Sequence, residues 1–182
     1  MGKALVATGH FTGCFGCHMS LLDIDERILD LVELVEFDKS PINDIKTFTR
    51  PVDVGIIEGG VSNDENVEVL RDFRKNCKIL VAIGACAITG GVPSMRNTVP
   101  LKECLQEAYL NGPTVQSEHT GVIPNDPDLP VLLDRVYPCH EVVKIDYFLP
   151  GCPPSADTLW AALVALLHGE TPNLPYELVK FD

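Results

Sequence analysis

The chain has 182 residues, 46% of them apolar, and its 26 acidic against 14 basic residues give a formal net charge of −12. This balance argues against nucleic acid and anionic membrane as partners, because both are bound through basic surfaces. The length suits one compact domain, and no apolar stretch approaches the roughly 20 residues that span a bilayer. The first residues contain neither a secretory signal nor a twin-arginine element, so we expect a cytoplasmic protein.

Apolar runs and helical spacings alternate along the chain. In order, the predicted elements are a strand over 3–8, a helix over 20–35, a short strand over 35–38, a strand over 52–57, a helix over 63–75, a strand over 78–83, a helix over 101–109, a strand over 142–149 and a helix over 155–168. Ser20 with Asp23 resembles a capping box for the first helix, and residues 111–130 are predicted to wrap the surface. Strands that alternate with helices indicate a doubly wound α/β fold with a parallel sheet.

Four of the seven cysteines follow predicted strands. Cys14 and Cys17 follow the first strand, Cys86 follows the strand over 78–83, and Cys152 follows the last. Sites in doubly wound sheets form beyond the carboxyl ends of the strands, so we expect these four cysteines to converge there. In a reducing compartment disulfides are rare, and clustered cysteines then indicate metal ligation or catalysis.

The other three cysteines are predicted to be structural. Cys77 lies between a helix and a strand, Cys104 lies in a helical pattern, and Cys139 follows the long loop. A lone cysteine is usually a small buried apolar side chain.

Three sites can use the Cys14-x2-Cys17 pair. A redox dithiol leaves Cys86 and Cys152 without a role, and structural zinc usually takes two close CxxC pairs in a small module. A [4Fe–4S] cluster accepts four thiolates from scattered positions, and glycines flank each cysteine here. The spacing therefore favours iron–sulfur over zinc.

Four motifs in order resemble the small subunit of [NiFe] hydrogenases, closest to the cytoplasmic NAD-reducing (bidirectional) group. They are TGCFGCHMSLLD, IIEGGVSNDEN, AIGACAITGGVPSMRN and LPGCPPSADTLWAAL, and together they cover nearly the whole chain. The resemblance implies a flavodoxin-like fold that holds the proximal [4Fe–4S] cluster on Cys14, Cys17, Cys86 and Cys152. It also places Glu58 near the cluster and the interface, where it would relay protons.

The same resemblance implies partners and their cofactors. The Ni–Fe centre would lie on a large subunit, and diaphorase subunits with iron–sulfur clusters and FMN would pass electrons to NAD. Many small subunits continue into a region with two further clusters. Here we expect residues 1–182 to form a single flavodoxin-like iron–sulfur domain with one cluster and no C-terminal multi-cluster domain.

Two other functions are compatible with parts of the sequence. The quinone-site subunit of respiratory complex I resembles the chain in PGCPP, but it has adjacent cysteines where this chain has Cys14-x2-Cys17. A flavodoxin-like FMN-binding protein would use the same edge of the fold, yet the first turn lacks a phosphate loop rich in Ser and Thr.

Several single residues have two interpretations. Glu58 is either a proton relay or hydrogen-bond partner near the interface, or a solvated strand-end carboxylate. His18 either donates to a cluster sulfur or packs locally. Arg96 either sets the electrostatic field around the cluster or binds a neighbouring carboxylate. Trp160 is predicted to belong to the core.

Overall fold

The computed structural model describes residues 2–115 and 121–179. Its strands are β1 (Ala4–His10), β2 (Val35–Phe37), β3 (Val52–Glu58), β4 (Val61–Asn63), β5 (Cys77–Ile83), β6 (Leu132–Tyr137) and β7 (Tyr147–Leu149). Its α-helices are α1 (Gly16–Leu22), α2 (Arg27–Leu34), α3 (Asp64–Asn76), α4 (Gly84–Thr89), α5 (Leu101–Gln106), α6 (Ala156–Leu167) and α7 (Tyr176–Val179). Two 3₁₀ segments, Val92–Thr98 and Cys139–Glu141, and a π-helical segment, Glu107–Asn111, complete the assignment.

Five strands form one parallel sheet in the order β2-β1-β3-β5-β7. Numbered along the sheet's own strands, this is the flavodoxin-like order, in which ligands bind where the strand order reverses. The predicted doubly wound parallel fold is confirmed. Strands β4 and β6 pair separately as a short antiparallel ribbon.

Helices cover both faces of the sheet because consecutive strand residues point to opposite sides. Val6 packs with Leu31 and Leu159 in the layer of α1, α2 and α6, whereas its neighbour Ala7 packs with Phe73 in the layer of α3 and α4. Trp160 packs at the border of the first layer, beneath the Arg27 guanidinium. This agrees with its predicted place in the core.

The predicted helix over 20–35 is two helices. Helix α1 begins at Gly16 and ends at Leu22, and Asp25 adopts a left-handed conformation before α2. The predicted capping box is therefore wrong, because Ser20 lies inside α1. Its hydroxyl donates to the Pro154 carbonyl oxygen at 2.6 Å.

Other parts of the chain also depart from the prediction. The strand over 142–149 shortens to β7, because the Val142 and Val143 amides donate to the Cys139 carbonyl oxygen and make a turn instead of a ladder. The helix predicted over 101–109 consists of α5, which ends at Gln106, and the π-helical segment that follows it to Asn111. Strands β4 and β6 are absent from the prediction. Part of the predicted surface loop, residues 116–120, lies outside the described residues.

Within the described parts of the chain, every helix is too short or too polar to cross a bilayer.

Candidate iron–sulfur site

The carboxyl ends of β1, β3, β5 and β7 form one edge of the sheet, here called the carboxyl edge. The four predicted cluster cysteines lie there and line a single cavity together with Glu58; they are Cys14, Cys17, Cys86 and Cys152. Cys14 and Cys152 are exposed, whereas Cys17 and Cys86 are half-buried. The predicted convergence is thus present in the folded chain.

The loop after β1 carries Cys14 and Cys17 to this edge. Backbone bonds tie the loop to the end of β3, from the Phe11 amide to the Glu58 carbonyl at 2.8 Å and between Thr12 and Gly60 in both directions. Cys17 is the second residue of α1, so the helix fixes its direction.

The other two cysteines meet through a bond between their loops. Helix α4 follows β5 directly and holds Cys86 in its first turn. The Ala85 amide donates to the Gly151 carbonyl at 2.7 Å, which places Cys86 beside Cys152. The bond from Ser20 to Pro154 ties α1 to the same segment.

Two glycines let the backbone lie against the sulfurs. A Cβ on Gly84 would meet the Cys17 Sγ at 2.3 Å, and one on Gly91 would meet the Cys86 Sγ at 2.9 Å. Gly84 also has a φ of +81°, a left-handed conformation that glycine adopts without steric cost.

Glu58 is buried at the centre of a polar group. Its side chain is 3% exposed, so the interpretation as a solvated carboxylate is wrong. Its two oxygens accept the Cys17 amide at 3.1 Å and the His18 amide at 3.2 Å, and one of them also bonds the His18 Nδ1. His10 lies in register with Glu58 on the neighbouring strand, with its Nδ1 3.4 Å from the carboxylate.

The surroundings shift the pKa values of the site's ionisable groups. Burial, and then the Glu58 carboxylate, raise the pKa of the Cys17 thiol; burial and the Cys152 sulfur raise the pKa of Cys86. Burial opposes ionisation of Glu58, but the nearby His10 imidazole and the hydrogen bond from His18 outweigh it and hold the pKa of Glu58 well below the usual range. The sulfurs of Cys86 and Cys14 also raise the pKa of Cys17, and the Cys14 sulfur raises the pKa of Cys86, because these thiols line one cavity.

The residues present fit a [4Fe–4S] cluster. Four free thiols on one cavity are the donor set that such a cluster takes, and the glycine positions beside two of them leave space that a side chain would fill. The domain has two apolar layers of its own, unlike modules that fold around structural zinc.

The three remaining cysteines do not reach this cavity. Cys77 and Cys139 belong to the apolar layer of α3, and burial raises the pKa of each thiol to about 12. The Cys139 thiol donates to the Gly59 carbonyl oxygen. Cys104 lies near the end of α5 and points at the Val99 carbonyl. Cys77 and Cys139 are buried as predicted, whereas Cys104 is only half-buried and its structural role stays a prediction.

Other predicted residues have different partners. His18 is bound to Glu58 rather than only packing locally. The Arg96 guanidinium donates to the carbonyls of Leu133 and Asp134, so it anchors β6 through backbone oxygens. Sequence reasoning missed His10, because the predicted strand ends at residue 8; a strand extended to the level of Glu58 would have paired the two.

Comparison with known families identifies the chain's relatives. The family model described as "NADH ubiquinone oxidoreductase, 20 Kd subunit" matches residues 14–166. The NAD-reducing hydrogenase HoxS subunit delta of Cupriavidus necator is 49% identical over 181 residues, covering 100% of this chain and 87% of that protein. One subunit of the F420-non-reducing hydrogenase of Methanothermobacter thermautotrophicus is 43% identical over 95% of this chain, which spans only 56% of that relative.

A solved structure matches over the full length. It is a chain from the crystal structure of an NAD+-reducing [NiFe]-hydrogenase in the H2-reduced state, with a TM-score of 0.95 and 48% identity, and the match covers 100% of both chains. Agreement at this level extends to the whole fold.

Proposed function

The chain belongs to the family of the NADH ubiquinone oxidoreductase 20 Kd subunit, and within it to the small subunits of [NiFe] hydrogenases; we propose that it is the electron-transferring subunit of such an enzyme. It would pass electrons between the Ni–Fe site of a large subunit and a flavin diaphorase that reduces NAD. One observation carries the proposal: four thiols converge on one cavity in a chain whose full length matches an NAD+-reducing hydrogenase structure.

The proposed cofactor of this chain is one [4Fe–4S] cluster on Cys14, Cys17, Cys86 and Cys152. When bound, such a cluster accepts and releases one electron at a time. The chain's own part is to supply four thiolates at fixed positions and to keep other side chains away from them, which Gly84 and Gly91 serve. The Ni–Fe centre, FMN and NAD belong to partner subunits in this proposal, and residues 1–182 act as one single-cluster domain.

The large subunit is proposed to cover the carboxyl edge. Cys14 and Cys152 are exposed there. Met19 on α1 and Val92 and Met95 beside Cys86 are large apolar side chains that are each more than half exposed. Apolar side chains in such a position are typical of a partner surface. A cytoplasmic location stays a prediction, supported by seven free thiols of the kind that a reducing compartment maintains.

The alternatives are less well supported. A complex I quinone-site subunit shares the matched family model, but the relatives at 49% and 43% identity are hydrogenase subunits. An FMN-binding protein would need a phosphate site where this edge carries thiols.

The experiment that tests the function compares the chain alone with the chain coexpressed with a hydrogenase large subunit. We expect hydrogen-dependent dye reduction only from the pair, because this chain holds a single CxxC and lacks the paired motifs that ligate nickel. Anaerobic purification should give a brown protein with about four iron atoms per chain. Activity from the nickel-free chain alone, or a colourless protein filled with zinc, would refute the proposal.

Glu58 is proposed as a proton relay beside the interface. If this is its role, Glu58→Gln slows hydrogen turnover and hydrogen–deuterium exchange while the cluster stays assembled. Isotope exchange followed by mass spectrometry measures the effect, and an unchanged exchange rate would leave Glu58 without a relay role.

A further inference from the structure

The segment between the first two cluster cysteines is held in place mainly by a side chain from another part of the chain. Phe15, between Cys14 and Cys17, has a φ of 68° and makes no side-chain cap bond to α1, and within the segment only the Gly16 amide finds a side-chain acceptor, the Cys14 Sγ at 3.4 Å. The next two helical amides, of Cys17 and His18, would be without acceptors if only this segment supplied them. Glu58, 41 residues away in sequence from Cys17, supplies both acceptors through its two carboxylate oxygens.

His18 completes this arrangement from the other side. Its ring is 1% exposed and stacks on Phe15 with centroids 4.6 Å apart and planes 5° from parallel. Its Nδ1 bonds Glu58, whereas its Nε2 is buried without a hydrogen-bond partner in the described structure. The bond to Glu58 therefore sets the orientation of the ring, and the ring in turn holds Phe15.

Three residues of this group have the chemistry of a metal site, since the ligating atoms of His10, His18 and Glu58 lie within 4.8 Å of one another. Both Glu58 oxygens already accept backbone amides, however. A metal ion would have to compete with these bonds, so the group is better explained as a hydrogen-bonded unit.

We propose that Glu58 and His18 are positioning residues for the cluster ligand Cys17 and that the Glu58 charge lowers the reduction potential of the cluster. This inference rests on the proposed function, because it assumes that Cys17 ligates a cluster. Glu58 fixes the backbone of Cys17 directly, and His18 fixes Glu58 and the Phe15 turn. A negative charge beside a ligand opposes the addition of an electron, and burial makes this effect stronger than it would be in water.

Glu58→Gln removes the negative charge and nearly preserves the shape of the side chain. The Glu58→Gln side chain keeps its size but has one acceptor oxygen instead of two, so one of the two helical amides loses its bond. His18→Phe keeps a ring to stack on Phe15 and removes only the Nδ1. Asp38→Asn is the matched control: Asp38 is a buried carboxylate that follows β2 and accepts the Thr49 amide at 3.1 Å.

The test uses the purified pair of this chain and its hydrogenase large subunit in these three forms and in the wild type. Redox titration followed by EPR gives the midpoint potential and the g values of the cluster. We expect Glu58→Gln to retain the iron and to raise the potential by about 59 mV, a tenfold change in the ratio of reduced to oxidised cluster at fixed potential. His18→Phe should give a smaller shift, and Asp38→Asn none.

Wild-type potential and g values in both Glu58→Gln and His18→Phe would overturn the inference, as would an equal shift in Asp38→Asn. If Glu58→Gln fails to assemble the cluster, His18→Phe decides alone: a shifted potential supports the inference and a wild-type potential overturns it. A proton relay by itself slows turnover without moving the potential, so the titration separates the two roles. A wild-type protein without any cluster contradicts the proposed function instead.

Discussion

The two edges of the parallel sheet are built from different chemistry. At the amino edge, where the strands begin, charged groups pair with each other. The Lys78 ammonium binds Asp53 at 2.7 Å, and the Arg74 guanidinium binds Asp146 at 2.6 Å. Both carboxylates also accept a strand amide, from Leu5 and Leu80 respectively. At the carboxyl edge the corresponding positions hold four thiols around a cavity.

This difference separates stability from function within one sheet. The charged groups at the amino edge are paired with other residues of the chain, so substitutions there should affect the free energy of unfolding. The carboxyl edge presents four thiols that would ligate a cluster, so substitutions there should affect cluster binding. Variants at each edge test that division.

The largest effect is expected from the thiols at the carboxyl edge. Replacing Cys14, Cys17, Cys86 or Cys152 by Ser should abolish or convert the cluster, because a hydroxyl is a much poorer iron ligand than a thiolate. Iron analysis and EPR of the anaerobically purified pair measure the loss.

Cysteines outside the cavity are the controls for this prediction. Cys77→Ser and Cys104→Ser should retain the iron and the EPR signal, and Cys77→Ser should lower only the stability, by about 1–3 kcal/mol for a buried hydroxyl. If Cys77→Ser removes the cluster while Cys86→Ser keeps it, the assignment of the two groups is wrong.

A smaller effect on cluster assembly is expected from substitution of a glycine whose backbone lies against the thiols. Gly84→Ala should impair cluster assembly, because its Cβ would lie 2.3 Å from the Cys17 Sγ. Gly169→Ala is a matched control, since Gly169 has a similar φ of +75° but no atom within 4 Å of the added Cβ. The control should lose about 1–2 kcal/mol through its left-handed conformation and keep full iron content. Equal iron in both variants would show that the close approach at Gly84 is unimportant.

Sequence patterns predict most of the sheet and the four cysteines at its carboxyl edge. Strands β3 and β5 agree with the prediction to within one residue because continuous apolar runs are typical of buried parallel strands. The cysteines follow these strands, so predicting the sheet order of a doubly wound fold also predicts their convergence.

The unpredicted features depend on contacts between distant residues. Helix α1 begins at Gly16 because Glu58, at the end of β3, accepts two of its first amides. No pattern in the neighbouring sequence predicts that contact. The ribbon of β4 and β6 is three and six residues long and pairs across the long loop, so its periodicity is weak. His10 joins the site only through its register with Glu58.

The smallest effect is expected from acidification of the amino edge. Burial opposes ionisation of Asp146, but the hydrogen bonds from Arg74 and the Leu80 amide, together with the Arg74 and Lys144 charges, outweigh it and lower the pKa of Asp146 below its ordinary value. A carboxylate with a lowered pKa in the folded state stabilises the protein above its unfolded pKa of about 3.9, and this contribution is lost as the pH falls through the folded value. Asp146→Asn should therefore cost about 1 kcal/mol at pH 7, as partly exposed ion pairs do, and progressively less towards about pH 3.

Urea unfolding of wild type and Asp146→Asn over this pH range measures the difference, with the exposed loop variant Asp44→Asn as the control. The control should change the free energy of unfolding at pH 7 by less than Asp146→Asn does, because no ion pair of Asp44 is seen among the described residues. Iron content at pH 7 should be the same in all three proteins, since Asp146 lies at the edge opposite the thiols. A stability difference that grows on acidification would contradict the ion-pair explanation, and iron loss in Asp146→Asn would show that the two edges are not independent.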